Sequence, residues 1–364
     1  MNSSHKSLGL GERVVSQTSN GSASQMMPDV ICSAEDRASE EDAIKIFVLS
    51  VVKHYRDRPP IHLICPKATP AFETWTQRFD RVTLDREPLE LAYGCNQKPQ
   101  TFERLFALGY RKPFWLDDDM VLGPTFMERL GRRLLSSCLV SEEPRISPRP
   151  TPEVLVRAHG WEVARALPRV INGGLILLSI EHGDLIAAWK AFLFSEEYRA
   201  AQKTFWRERP VHLYSDQEIL TCLLCTKRFA HIPVDYLKEG EDIIQMLGPS
   251  GYLPGDRLRN AGAGPAPIVH SMGEKPWREA PQKGSSLRQR YLHLHTELSP
   301  YLFAAREVVG DEIDDFPWLK RRSFLGGVLR GASRDNPALA GLPIAVIDVA
   351  VRRAKRLLNI DRIG

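Results

Sequence analysis

The order of apolar and polar positions changes abruptly near the start of the chain. Residues 1–27 are rich in Ser, Gly, Asn and Gln without an apolar period, so burial cannot offset their ordering entropy and a disordered leader is expected. From Asp29 the run DVICS predicts a buried strand, and Ile44, Phe47, Val48, Val51, Val52 and Tyr55 then recur at the spacing of an amphipathic helix. Pro59-Pro60 stops the chain, and IHLIC at 61–65 predicts a second strand that completes a βαβ unit. The alternation continues with a helix near 71–79, a strand at 82–84, a helix over 101–108 and a strand at 113–116. Further on, 170–180 reads as a strand and 185–194 as a helix, while Ser215 and Glu218 form the capping box of another helix. Strands alternating with helices predict an α/β fold, a mostly parallel sheet with helices on both faces, which binds ligands at the carboxyl ends of its strands. One such domain is expected over 28–305, followed by a helical basic C-terminal appendage over 306–364.

The composition changes this picture little. With 43% hydrophobic and 26% charged residues over 364 positions, the chain is long enough for a large core, and disorder, collagen and a small disulfide scaffold are excluded. A formal net charge of +4 is too slight for a general nucleic-acid binder. The charge is uneven, however. From Lys320 onward ten Lys/Arg face three Asp, so the basic character belongs to the appendage. Cys222 and Cys225 form a CxxC inside an apolar stretch and read as helix core rather than a zinc site. No apolar signal segment opens the sequence and no apolar run is long enough to span a bilayer, so a cytoplasmic protein, either free or attached to the inner face of a membrane, is expected.

The segment Phe114-Trp115-Leu116-Asp117-Asp118-Asp119-Met120-Val121-Leu122 sets three carboxylates between two apolar runs. Like charges packed against a hydrophobic sheet repel and raise one another's pKa, so such a cluster calls for a cation. Strand alternation would put Asp117 and Asp119 on one side and turn Asp118 away. Two carboxylates with room for water suit Mg²⁺ or Mn²⁺, with phosphate oxygens as further ligands.

At this point the sequence resembles a known family. WLDDDMVL looks like the DxD motif of nucleotide-sugar glycosyltransferases of the GT-A fold, and three later blocks come in the order seen in glycosyltransferase family 8 and its relatives. These are Ile171-Asn172-Gly173-Gly174-Leu175-Ile176-Leu177, Ser215-Asp216-Gln217-Glu218-Ile219-Leu220, and Ile268-Val269-His270-Ser271-Met272-Gly273-Glu274-Lys275-Pro276-Trp277. Asn96-Gln97-Lys98-Pro99 resembles the segment that supplies a basic residue ahead of the DxD strand. The resemblance implies a metal held by Asp117, Asp119 and His270. It implies contacts to the nucleotide sugar from Lys98, Asp117, Asp118, Gly173, Gly273 and Lys275, and a catalytic pair in Asp216 and Asn172. Lys275 lies five residues after His270 where the family pattern has six, which makes Arg278 an alternative diphosphate contact.

The resemblance thus implies a hexosyltransferase that moves a hexose from a nucleoside diphosphate sugar, in the first place a UDP-sugar, to an acceptor hydroxyl with retention at the anomeric carbon. The leaving phosphate would then take the acceptor proton; an inverting enzyme would need a base, and Asp216 is the candidate. The acceptor is expected to be a saccharide or a lipid-linked saccharide, as in cell-surface glycan synthesis. Two alternatives stand beside this reading. A haloacid dehalogenase-like phosphatase would use Asp117 as nucleophile, with Asp119 and Val121 completing its first motif and Gly310, Asp311 and Asp315 a later one; an inactive sugar-nucleotide fold would act as a membrane-bound interaction module. In the tail, Ile344, Ile347, Val351, Ala354 and Leu358 recur at 3-4 spacing beside Arg352, Arg353, Lys355 and Arg356, the pattern of a helix lying on an anionic membrane surface or pairing as a short coiled coil.

Overall fold

The structure, a computed structural model, describes residues 27–358 apart from 56, 91–93, 148, 249–250, 274 and 279–285, so the expected leader lies outside the described residues except for Met27. Strands β1 (Val30–Ala34), β2 (Ile61–Ile64), β3 (Val82–Asp85), β4 (Pro113–Leu116), β6 (Cys138–Glu142), β7 (Ile171–Leu178) and β8 (Asp235–Leu237) form one sheet in the order β3-β2-β1-β4-β7-β6-β8. All run parallel except β7, which is antiparallel to both neighbours. β5 (Met120–Leu122), β10 (Ile268–His270) and β9 (Ile243–Gln245) make a small second sheet.

Alternation along each strand explains why both faces are covered. Val30 and Cys32 of β1 point into one core with Trp115, Ile176 and the helices Gly183–Leu193 and Asp216–Cys225. Ile31 between them points into a second core with Phe114, Leu177 and the helix Glu41–His54. Cys222 and Cys225 are buried in the first of these cores, as their apolar context predicts. The Glu41–His54 helix is more than amphipathic. Ile44, Phe47, Val48 and Val51 meet the large sheet, while Ala43, Ile46 and Leu49 are buried in a third core with Val121, Val269, Tyr301 and Trp318.

That third core binds the C-terminal region to the rest. The helix Pro300–Val309 crosses the expected division between 305 and 306, and Phe316, Trp318, Leu319 and Ala338 are buried beside Ala43 and Ile46. Trp318 Nε1–H donates to Asp42 Oδ2 at 3.0 Å. The last described helix, Leu342–Leu357, is anchored at its start, where Ile344 and Ala345 are buried, whereas Ile347 and Val351 are exposed. Among the described residues no helix is long and apolar enough to cross a membrane.

Candidate functional site

The chain leaves β1 toward β2 and β3 on one side and returns to β4 on the other, so the crevice outside the carboxyl ends of β1 and β4 is the point at which an open α/β sheet receives ligands. β4 delivers Asp117 there. The strand does not persist through the acids, as simple alternation requires: it ends at Leu116, and Asp117–Asp119 form a turn in which Met120 N–H donates to Asp117 O at 3.2 Å. The turn still sends Asp117 and Asp119 to one side. Asp118, partly buried, has its carboxyl raised well above the usual range by burial, then by the charges of Asp119 and Glu35.

His270 closes β10, whose pairing with β5 sets it opposite Met120 and so beside the turn. Its Nε2 lies 3.0 Å from Asp119 Oδ1 and 3.8 Å from Asp117 Oδ2. One ligand atom from each of Asp117, Asp119 and His270 falls within 4.8 Å of the others, and among the described residues this is the group of acids and histidines placed to share one ion. Two carboxylates and an imidazole with one side open to solvent, Asp117 being 31% exposed, fit a divalent cation that would take its further ligands from solvent or a bound molecule. Lys275 donates to Asp119 Oδ2 and, at 2.6 Å, to Ser271 O. Burial alone would raise the Asp119 carboxyl; the facing charges of His270 and Lys275 outweigh it and hold the group well below its ordinary range.

The reversed direction of β7 brings its first residues to the same edge. Leu116 of β4 pairs with Leu175, and Asp117 N–H donates to Gly174 O at 2.8 Å. A Cβ on Gly174 would lie 2.4 Å from His270 Cε1 and 2.8 Å from Met120 Cε, so only glycine lets the histidine reach the acids. Gly173 faces Lys98, whose Nζ would lie 3.4 Å from an added Cβ. Lys98 Nζ is 3.0 Å from Asp216 Oδ2, and both side chains are buried. Burial raises the Asp216 carboxyl, against the pull of Lys98. The Lys98 ammonium also lies 5.4 Å from the centroid of Trp115, whose indole N–H donates to Asp117 Oδ1 at 2.8 Å, so the two halves of the site share one side chain.

Asn172 Oδ1 accepts from Gly174 N–H at 3.0 Å, and its Nδ2 donates to Glu143 Oε2 at 2.9 Å. Gln217 does the same from the facing helix, accepting from Gly173 N–H at 2.9 Å and donating to the same Glu143 oxygen at 3.0 Å. Glu143 carries no signal in the sequence because nothing local marks it; its amide partners stand 29 and 74 positions away. Arg149 links it onward, with Nε 3.4 Å from Glu143 Oε1 and 3.3 Å from Glu218 Oε1. Glu218 makes the expected capping contact, accepting from Ser215 N–H at 2.9 Å, and burial pushes its carboxyl up to about 7.

Gly273 packs too closely for a side chain, since a Cβ there would lie 3.0 Å from Met246 O. Of the two expected diphosphate contacts, Lys275 sits against the Asp–Asp–His group, while Arg278 is exposed and turned to Glu40, with Nη2 3.3 Å from Oε1. The residues that would serve a phosphatase are not assembled: Asp117 comes after the fourth strand, and Asp311 and Asp315 lie in the 3₁₀ segment Gly310–Asp315, outside the metal-ligating group.

No protein-family model matches the chain, and no curated protein matches it. Among solved structures it is similar to the bifunctional glycosyltransferase WbbM, at 14% identity over 69% of this chain and 47% of that one, with a TM-score of 0.46. It is also similar to the galactosyltransferase LgtC solved with donor and acceptor sugar analogs, at 17% identity over 72% of this chain and 95% of that one, TM-score 0.40. A third likeness is to a glycosyltransferase involved in glycosylation of the major capsid of PBCV-1, at 12% identity over 68% of this chain and 93% of that one, TM-score 0.37. The chain spans about half the length of WbbM.

Proposed function

We propose that the protein is a metal-dependent glycosyltransferase that moves a hexose from a nucleoside diphosphate sugar, a UDP-sugar in the first place, to the hydroxyl of a saccharide or lipid-linked acceptor. The observation that carries this reading is the meeting, at the sheet's switch point, of the Asp117–Asp119–His270 group with the buried Lys98–Asp216 pair and the Asn172-Gly173 backbone. Mn²⁺ or Mg²⁺ held by Asp117, Asp119 and His270 would supply charge stabilisation for a departing diphosphate. Lys275, released from Asp119, would offer its ammonium to the same oxygens. Asp118 and Gly273 would line the nucleotide side, and Gly173 would let the sugar approach bare backbone. Asn172 and Asp216 would orient the hexose, Asp216 fixed by Lys98 and Asn172 by Glu143. With Asp216 buried and paired rather than open to an acceptor, the reading favours retention, the leaving phosphate taking the acceptor proton.

The surface of the C-terminal region supports attachment to the inner face of an anionic membrane. Ile347 and Val351 are exposed beside Arg353 and Lys355, and Phe324, Leu325 and Val328 are exposed on the helix Phe324–Ala332, which comes directly after Lys320-Arg321-Arg322 and its capping Ser323. Calorimetric titration with UDP, GDP, CDP and dTDP, each with and without Mn²⁺, tests the reading. One of the four is expected to bind only when the ion is present, and the Asp119→Asn protein is expected to bind none; binding that ignores both ion and substitution would overturn it.

A further inference from the structure

A braced loop on the approach to Asp216 groups three aromatic side chains, two of them held out toward solvent. Phe205 is 59% exposed and Trp206 49% exposed, and Tyr214 is partly buried behind them. Ring centroids lie 6.0 Å apart for Phe205 and Trp206, and 6.2 Å apart for Trp206 and Tyr214. Large apolar side chains cost free energy in water, and a grouped set of them marks a binding surface more often than single ones do. Arg209 braces the loop: the guanidinium donates to Thr204 O at 3.1 Å, Gln202 O at 3.2 Å and Tyr214 O at 2.9 Å. Gln202 Nε2 adds a bond to Leu213 O at 2.8 Å.

The patch is continuous with the site. Tyr214 stands two positions before Asp216, and the Arg149 guanidinium lies 4.5 Å from its ring centroid while reaching Glu143, the residue that fixes Asn172 and Gln217. A path of neighbouring side chains thus runs from Asn172 through Glu143 and Arg149 to Tyr214 and on to Trp206. Guanidinium groups bring hydrogen-bond donors to the patch, Arg149 lying over one side of the Tyr214 ring and Arg207 over one side of the Trp206 ring, 5.1 Å from its centroid. A pyranose has this same mixed character, with a face of C–H groups that packs on an aromatic ring and a rim of hydroxyls that needs hydrogen-bond partners.

We propose that Trp206 and Tyr214, flanked by Phe205, Arg149 and Arg207, form a stacking platform for the saccharide acceptor. The proposal rests on the glycosyl-transfer reading for its word acceptor, though not for the binding itself. The platform would hold one or two sugar rings of an acceptor chain and lead its terminal hydroxyl toward Asn172 and Asp216.

The test is saturation-transfer NMR on the full chain with lactose, maltose, cellobiose and N,N′-diacetylchitobiose, each with and without UDP and Mn²⁺. At least one disaccharide is expected to receive saturation through its ring C–H protons, with a Kd that rises tenfold or more in Trp206→Ala and in Tyr214→Ala. Trp206→Phe, which keeps a stacking ring, is expected to retain most of the affinity. Circular dichroism identical to wild type confirms that a half-exposed residue was removed without loss of fold. Affinity for UDP is expected to stay within twofold in both alanine variants, which separates the platform from the donor site. If none of the four sugars binds, or if the one that does binds Trp206→Ala as tightly as wild type, the platform is refuted. If the sugars behave as expected while no nucleoside diphosphate binds, the platform stands as a carbohydrate-binding surface and the glycosyl-transfer reading is the part that fails.

Discussion

Lys98 and Asp216 meet 3.0 Å apart with side chains only 4% and 2% exposed. Neither would be buried alone, because a lone charge in the interior carries a desolvation penalty of several kcal/mol. Their pairing is what lets a lysine at a helix start and an aspartate in the first turn of another helix be buried beside the backbone of Gly173.

Removing one member should therefore cost more than removing both. Lys98→Met is expected to lose about 3–5 kcal/mol of stability, the range for breaking a buried ion pair, while Lys98→Met combined with Asp216→Leu recovers a large part of it. Urea denaturation of the two single variants and the double variant checks this, and equal losses in single and double variants would contradict it.

Gly174 is expected to be intolerant of even one methyl. Its added Cβ would fall 2.4 Å from His270 Cε1, so Gly174→Ala should destabilise by about 1–3 kcal/mol as overpacking does, and should weaken Mn²⁺ binding because the imidazole is pushed from the acids. Gly183→Ala meets no atom within 4 Å and serves as the control. Thermal melts and Mn²⁺ titration read both effects.

Lys275 competes with a cation for Asp119. Removing the ammonium in Lys275→Ala should tighten Mn²⁺ binding by several-fold, since a like charge at the ligand oxygen opposes the ion, and, on the proposed reading, should lower transfer activity through loss of a contact to the departing diphosphate. His270→Ala should instead weaken the ion by tenfold or more while leaving the fold intact. Calorimetry with Mn²⁺ alone distinguishes the two directions.

His295 is buried, and burial first, then the charge of Arg257, pushes its imidazole down to about 3 from an ordinary value near 6.5. The unfolded chain takes up a proton below pH 6.5 that the folded chain refuses, so this residue contributes a loss of stability as pH falls from about 6.5 toward 3, at up to about 1.4 kcal/mol per unit. Above pH 6.5 it contributes no slope. His295→Leu should flatten the curve only below pH 6.5, as urea midpoints taken from pH 7.5 to 4.5 will show.

Much of the large sheet is legible in the sequence because buried parallel strands read as short unbroken apolar runs, as at 61–65, 113–116 and 170–180. β5, β8 and β9, three residues each, are too short for any period to register. The site divides in the same manner. The acids of the turn announce themselves by clustering in an apolar context. Lys98 is singled out only by the resemblance, since a lysine ahead of a helix is ordinarily solvated, and Glu143 is not marked at all, because what places both here is burial against residues far away in sequence. Asp117 and Asp119 do share a side, but through a turn rather than through the pleat of a strand.

The two segments that furnish the Asp117–Asp119–His270 group come from the end of the fourth strand and from the tenth, with β7 and the Asp216–Cys225 helix between them in the chain. A nascent polypeptide emerging from the ribosome would present Asp117 and Asp119 long before His270, as a bare pair of acids with weak hold on any cation. The three ligand atoms stand together only where β10 pairs with β5, so an ion bound by all three would bind the folded chain and not the unfolded one. Mn²⁺ at a hundredfold excess over its Kd would then favour the folded protein by about 2.7 kcal/mol.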